Sequence, residues 1–190
     1  MNATPLMGKL VRLAAPNHDE YADLMSRWSE DGELMRLLNA EPAMIYQRSE
    51  VQKWIDKNDG EDMVYFTIRT LAEDKLIGSI ELDGFSFDTG NCWLGIYLGE
   101  RDYWGQGYGT DAMRVLLHYA FTELGIRRVT LNVFEYNQRA IKSYQKAGFK
   151  IEGVGRKALL RAGKRWEMIY MGILRKDWQE LQELEEKCQP

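Results

Sequence analysis

Three glycines at alternate positions give the first chemical signal in this sequence. In Leu98-Gly99-Glu100-Arg101-Asp102-Tyr103-Trp104-Gly105-Gln106-Gly107-Tyr108-Gly109-Thr110, Gly105, Gly107 and Gly109 stand just before a strong helical pattern. Glycine lets the backbone come close to a ligand, and a helix start offers unpaired N–H groups and the positive end of a dipole. Such a loop can hold a phosphate or pyrophosphate without lysine or arginine; its other reading is a tight turn with no ligand. Two familiar phosphate loops do not fit. A Walker loop needs a lysine before Thr110, where Gly109 stands, and a dinucleotide fingerprint needs another glycine spacing and a later acidic residue where Arg127-Arg128 occurs.

Groups able to move protons are few. Tyr144 falls on the apolar stripe of a predicted helix, where a phenol can give its ring to the core and its O–H to a site. Glu81 shares a predicted strand face with Ile77, Ser79 and Asp83, and Glu135 stands just past another strand. Each is either a candidate base or a solvated carboxylate. His18 lies at a predicted helix start and His118 inside a helix. No Ser/His/Asp or Cys/His set suggests a covalent intermediate.

The elements that position these groups follow from periodicity. Lys9 to Leu13 is a short strand candidate. A helix then opens at Asn17, with Glu20 in capping-box position and Tyr21, Leu24, Met25 and Trp28 as its stripe. A short helix covers Glu33 to Leu38. A third starts at Ser49, with Gln52 as capping partner and Val51, Trp54 and Ile55 as its apolar face, and ends at Asn58-Asp59-Gly60. Two-residue alternation marks Met63 to Arg69, Leu76 to Phe85 and Cys92 to Leu98 as strands, with turns at Glu73-Asp74 and Asp88 to Asn91. The helix after the glycine loop carries Met113, Leu116, Leu117, Ala120 and Leu124. A strand spans Val129 to Phe134, and Asn137 caps a helix with Ala140, Ile141, Tyr144 and Ala147 as its stripe. Phe149 to Arg156 and Arg165 to Leu174 read as strands, and Trp178, Leu181 and Leu184 mark a last helix. This order predicts an α+β fold around one sheet.

Composition narrows the function classes. The chain has 190 residues, 45% hydrophobic and 28% charged, with 25 Lys plus Arg against 29 Asp plus Glu and a net charge of −4. That is enough chain for one well-buried domain, and its mild acidity argues against a partner made of nucleic acid. Cys92 and Cys188 are too far apart in sequence for a disulfide framework or a thiolate metal cage. No apolar run approaches membrane length, and Met1 to Pro5 carry no signal or myristoylation pattern. The expectation is a single domain, 1–190, in the cytoplasm.

Two segments carry a resemblance. Trp104-Gly105-Gln106-Gly107-Tyr108-Gly109 is similar to the pyrophosphate loop, Q/R-x-x-G-x-G/A, of the GNAT superfamily of acetyl-CoA-dependent N-acetyltransferases. Trp104 stands where that family has Gln or Arg, an exchange that leaves the backbone cradle intact. Asn137 to Phe149 resembles the family's N-x-x-A-x-x-x-Y-x-x-x-G-F segment. The resemblance is specific from about Trp93 to Glu152, and within the family is nearest to the ribosomal-protein N-terminal and spermidine acetyltransferases.

The resemblance implies a mixed, mostly antiparallel sheet, splayed at the cofactor site, with helices on both faces. It implies that acetyl-CoA, as co-substrate, is held by Ile96, Tyr97 and Leu98 on the splayed strand, by Trp104, Gly105, Gln106, Gly107, Tyr108, Gly109 and Thr110 in the loop, and by Asn132, Asn137 and Tyr144. Gly95, inside a strand pattern, independently suggests a bulge or a close backbone approach. Tyr144 matches the general acid. One branch of the family places a glutamate base at the position of Asn132, which cannot accept a proton, so Glu81 becomes the candidate base. No metal is implied.

The expected partners are an amine acceptor and a second copy of the chain, with no membrane and no nucleic acid. Absence of a dedicated base at position 132 favours a protein or peptide α-amine, already partly neutral near pH 7. If Glu81 is the base, that preference dissolves. The alternatives are a polyamine or other small amine, or a module that binds CoA without turnover.

Overall fold

A computed structural model of the chain describes residues 6–58 and 63–187. Strands β1 (Val11–Ala14), β2 (Val64–Thr70), β3 (Leu76–Ser86), β4 (Asn91–Leu98), β5 (Arg128–Phe134), β6 (Lys150–Arg161) and β7 (Lys164–Leu174) form one sheet, in the spatial order β1-β2-β3-β4-β5-β7-β6. The β4–β5 junction is parallel and the others are antiparallel. Helices α1 (His18–Ser29), α2 (Gly32–Leu38) and α3 (Arg48–Asn58) build an apolar cluster with Tyr97 and Tyr65 on one face. On the other, α4 (Tyr108–Thr122), α5 (Gln138–Lys146) and α6 (Arg175–Lys187) close the main core, where Met113, Leu116, Leu117, Ala120 and Phe121 are fully buried. The predicted α+β architecture with both faces covered is what forms.

Local chemistry explains where most elements begin. Asn17 Oδ1 accepts from the Glu20 N–H at 3.2 Å, and Asp31 Oδ1 accepts from Glu33 and Leu34, each at 3.1 Å. The expected cap of α3 is out of frame by two residues. The Gln47 N–H donates to Glu50 Oε2 at 2.8 Å, while Gln52, inside the helix, donates to Asp56. Val51 and Ile55 are buried as expected, but Trp54 stays 45% exposed. The predicted stop at Asp59-Gly60 lies outside the described residues. Lys9 and Leu10, read as strand, instead give their N–H groups to the Asp111 carboxylate. Strand β6 runs on to Arg161, carried past the predicted end by an irregularity between Gly155 and Leu159. On α6, Trp178 and Leu181 pack on the core, but Leu184 is exposed, so the apolar stripe ends one turn early.

The feature that positions the site is the β4–β5 junction. It pairs only Asn91, Cys92 and Trp93 with Arg128, Val129 and Thr130. Beyond it, β4 stays registered on β3 out to Leu98, and β5 on β7 out to Phe134. The two strands therefore diverge toward their C-terminal ends and leave two facing backbone edges without strand partners. Crevices at the carboxyl ends of parallel strands are where open sheets bind ligands.

Candidate active site

Beyond β4 the chain makes one 3-10 turn, Arg101–Tyr103, and enters the glycine loop. Gly105 and Gly107 have φ of 74° and 94°, values that side-chain-bearing residues adopt only under strain. Gly107 caps α4 without any side-chain acceptor, so no capping side chain takes up the N–H groups of the first turn. Gly105, Gly107, Gly109 and Thr110 line a cavity of about 1480 Å³ that runs through the splay. An acidic residue here would repel an anion, yet the Asp111 carboxylate is taken up by the N–H groups of Lys9, Leu10 and Val11 at 3.2, 2.7 and 3.1 Å. Thr110 and Ser143 share a hydrogen bond of 2.8 Å that ties α4 to α5. Two loop residues stand apart from the cavity wall. Gln106 donates to the Asp102 carbonyl, and the Tyr108 ring meets Tyr103 edge-on at 5.0 Å.

Trp104 has a defined place in this structure. Its indole N–H donates to the Leu98 carbonyl at 2.8 Å, so that carbonyl is occupied. The Arg139 guanidinium lies 3.6 Å over the ring, and Arg101, itself paired with Asp31 and Glu33, lies at 4.9 Å. Desolvation lowers the Arg139 pKa below the usual arginine value. Trp104 follows β4 and Arg139 opens α5 after β5, so the stack bridges the two strands at the open end of the splay. Sequence reasoning passed over Arg139; its signal was an arginine two residues beyond a capping Asn, in a segment already singled out.

The remaining candidates converge on the same cavity. Asn137 caps α5, accepting from the Ala140 N–H at 3.2 Å, and also lines the wall. Tyr144 sits half-buried with its ring 6.3 Å from Phe149, and burial pushes its phenol up to about 12. Asn132 is exposed to the cavity, opposite Tyr170 on β7. Ile96, Tyr97 and Leu98 line it from β4, with the Tyr97 ring edge-on to Trp28 at 5.4 Å.

The other end of the cavity holds Ser79, Glu81 and Asp83, alternate residues on β3. Gly95 is not a bulge, because the β3–β4 register runs unbroken from Gly78↔Leu98 to Asp83↔Trp93. A Cβ there would lie 2.6 Å from Glu81 Oε1, so the glycine makes the notch that holds the carboxyl. Burial, helped by the charge of Asp83, raises Glu81 to about 7; burial raises Asp83 as well. Among the described residues neither carboxyl has a hydrogen-bond or ion-pair partner. The other carboxylate considered, Glu135, accepts from the Glu167 N–H at 3.1 Å and brackets β5 to β7 outside the cavity. His118 packs edge-on against Trp178. No metal-binding group of three or more His, Cys, Asp or Glu occurs among the described residues, and none of their helices is long and apolar enough to cross a membrane.

Comparison with known proteins agrees with this geometry. Residues 11–150 match the acetyltransferase (GNAT) domain. The chain is 31% identical over 114 residues to the probable N-acetyltransferase YjcK of Bacillus subtilis, covering 58% of this chain and 61% of that protein. It is 27% identical over 158 residues to mouse alpha/beta-tubulin-N-acetyltransferase 9, covering 77% of this chain and 64% of that one. The chain thus spans under two thirds of the length of each. Spermidine N-acetyltransferase from Vibrio cholerae, solved with CoA and spermine, superposes with a TM-score of 0.79 at 19% identity, over 89% of this chain and 98% of that one.

Proposed function

Because the chain belongs to the GNAT family of acetyltransferases, we propose that it moves an acetyl group from acetyl-CoA to the α-amine of a protein or peptide by direct attack in a ternary complex. The uncapped start of α4 and the Gly105–Thr110 cradle fit a pyrophosphate, and the free edges of the splay fit an amide-bearing arm. Acetyl-CoA supplies a thioester already activated toward amines. The amine nitrogen forms its bond to the acetyl carbon as the carbon–sulfur bond breaks. Glu81 takes the ammonium proton beforehand, directly or through a water; the electron pair of the broken bond leaves on sulfur, and the second proton that the nitrogen sheds as the amide forms goes to that sulfur, giving the free thiol. Tyr144, fully protonated at neutral pH, donates a hydrogen bond to that sulfur as its charge grows.

The observation that carries the α-amine reading is the Glu81 carboxyl seated in the Gly95 notch with no partner among the described residues, where burial raises it to about 7. An α-ammonium, with a pKa of about 7.7–8.0, gives its proton to such a base at a cost of roughly one pKa unit, or about 1.4 kcal/mol. A lysine-like amine of about 10.4 faces more than three units, about 4.6 kcal/mol. A base at Glu81 therefore keeps the preference for α-amines. The second reading is a polyamine, favoured by Glu81 and Asp83 standing together. The test is kcat/KM for an alanyl or seryl peptide against spermidine at equal ionic strength. A ratio above one is expected, and a ratio well below one rejects the α-amine.

The cradle makes its own prediction. A Cβ at position 107 would meet Leu10 at 3.5 Å, ordinary contact, but φ of 94° is hostile to a β-branched residue. Gly107→Val should swing the loop N–H groups away and raise the acetyl-CoA dissociation constant at least about tenfold, the loss of one charge-assisted contact. Unchanged calorimetric affinity in the folded variant would remove the loop from the binding site.

A further inference from the structure

The acceptor end of the cavity sets large apolar side chains beside the carboxyls of Glu81 and Asp83. Met44, Trp54 and Trp93 line it with 53%, 45% and 39% of their surface exposed. Leu37 and Leu38 extend the same wall from α2. Large apolar side chains on a cavity wall are surface that a ligand can cover. Glu81 and Asp83 have no hydrogen-bond or ion-pair partner among the described residues, whereas Glu50, on α3, already accepts from the Gln47 N–H. The basic side chains lining the cavity stand on α4, α5 and the segment before β1, at the other end. This end therefore offers a place for one cation and, beside it, a place for an apolar body.

The wall is also built in advance. Arg161, at the end of β6, donates to the carbonyls of Arg36, Asn39, Ala40 and Glu41, and lies over the rings of Phe134 and Tyr136. One guanidinium thus fixes the turn between α2 and α3 that leads to Met44. A wall held before the ligand arrives loses less on binding than one that must order around it.

We propose that the preferred acceptor is a primary amine whose adjoining carbon bears a large apolar group, aromatic or long aliphatic, seated against Met44, Trp54 and Trp93 while the amine meets Glu81. The inference rests on the acetyl-transfer reading above and names the substrate class within it. Beyond Glu81 a polycation finds only Asp83 and Glu50 in this part of the lining, and any further ammonium group would lie on apolar surface.

Two pairs of amines test it. One is a pair of peptides identical except for Phe or Ser at the first residue; the other is phenethylamine and ethylamine. The expected result is a kcat/KM about tenfold or more higher for the apolar member of each pair that turns over. That ratio should fall to within about threefold in Trp54→Ser and in Trp93→Ser, which stand on different elements. Ratios at or below one in both pairs overturn the inference, while turnover itself still upholds acetyl transfer to amines. A preference confined to the small amines, with no peptide acetylated, upholds the apolar wall and overturns the polypeptide acceptor. A ratio that persists in both variants overturns the placement. No turnover of any amine, with acetyl-CoA still binding by calorimetry, overturns both readings.

Discussion

Glu81→Gln is expected to lower kcat/KM for a peptide α-amine by about 10²–10³-fold, within the range for loss of a positioned base. The wild-type profile should rise through about pH 7 as the carboxyl ionises, and the variant should lack that limb, keeping only the titration of the amine. The same substitution has a signature in stability. The folded value of about 7 lies above an unfolded value of about 4.3, so the folded chain holds the extra proton between them. Glu81 therefore costs nothing below about pH 4 and destabilises progressively up to about pH 7, and the full cost persists above. Glutamine should stabilise the chain at pH 8 by on the order of 2 kcal/mol, allowing for partial solvent screening, and do nothing at pH 4. Denaturant titrations at the two pH values, beside the pH–rate profile, check both halves. A variant with full activity and an unshifted profile would make Glu81 a wall residue only.

Tyr144→Phe should reduce kcat about 10²-fold while changing acetyl-CoA affinity less than about threefold. The hydrogen bond to sulfur strengthens only as the carbon–sulfur bond breaks, so its loss appears in turnover rather than binding. The ring remains in the stripe of α5 near Phe149, so the fold is retained. Single-turnover rates with calorimetric affinities separate the two quantities. A wild-type single-turnover rate would leave Tyr144 with packing alone.

Most of what positions this site was legible because it depends on short-range rules. The Asn17 and Asn137 caps, the α4 stripe and the glycine loop each follow from residues within a turn of one another. The α3 cap was misplaced because Ser49 with Gln52 and Gln47 with Glu50 both satisfy the same spacing, while in the fold Glu50 closes on the Gln47 N–H and Gln52 turns to Asp56. The carboxylates show the deeper limit. Glu81 and Glu135 are alike in sequence, each near a strand and each readable as solvated. What separates them is the notch left by Gly95 on the neighbouring strand, and the Glu167 N–H that takes up Glu135. Arg139 and Arg161 were missed for the same reason: Trp104 and the carbonyls of residues 36–41 reach them only through the fold.

The three-residue junction between β4 and β5 also divides the sheet mechanically. Main-chain pairing normally makes a sheet melt as a unit, but here two half-sheets are joined on the splayed side by side chains under α4 rather than by a ladder. A molecule whose amides bond to both free edges becomes the missing rung. By mass action, ligand present at 100 times its dissociation constant adds about 2.7 kcal/mol to the folded state, a sizeable share of a domain's whole margin. If the acetyl donor proposed above takes that place, the durability of the chain rises with its supply: bound, the sheet is tied along the whole junction, and without it the two halves share only a three-residue ladder and the side chains under α4.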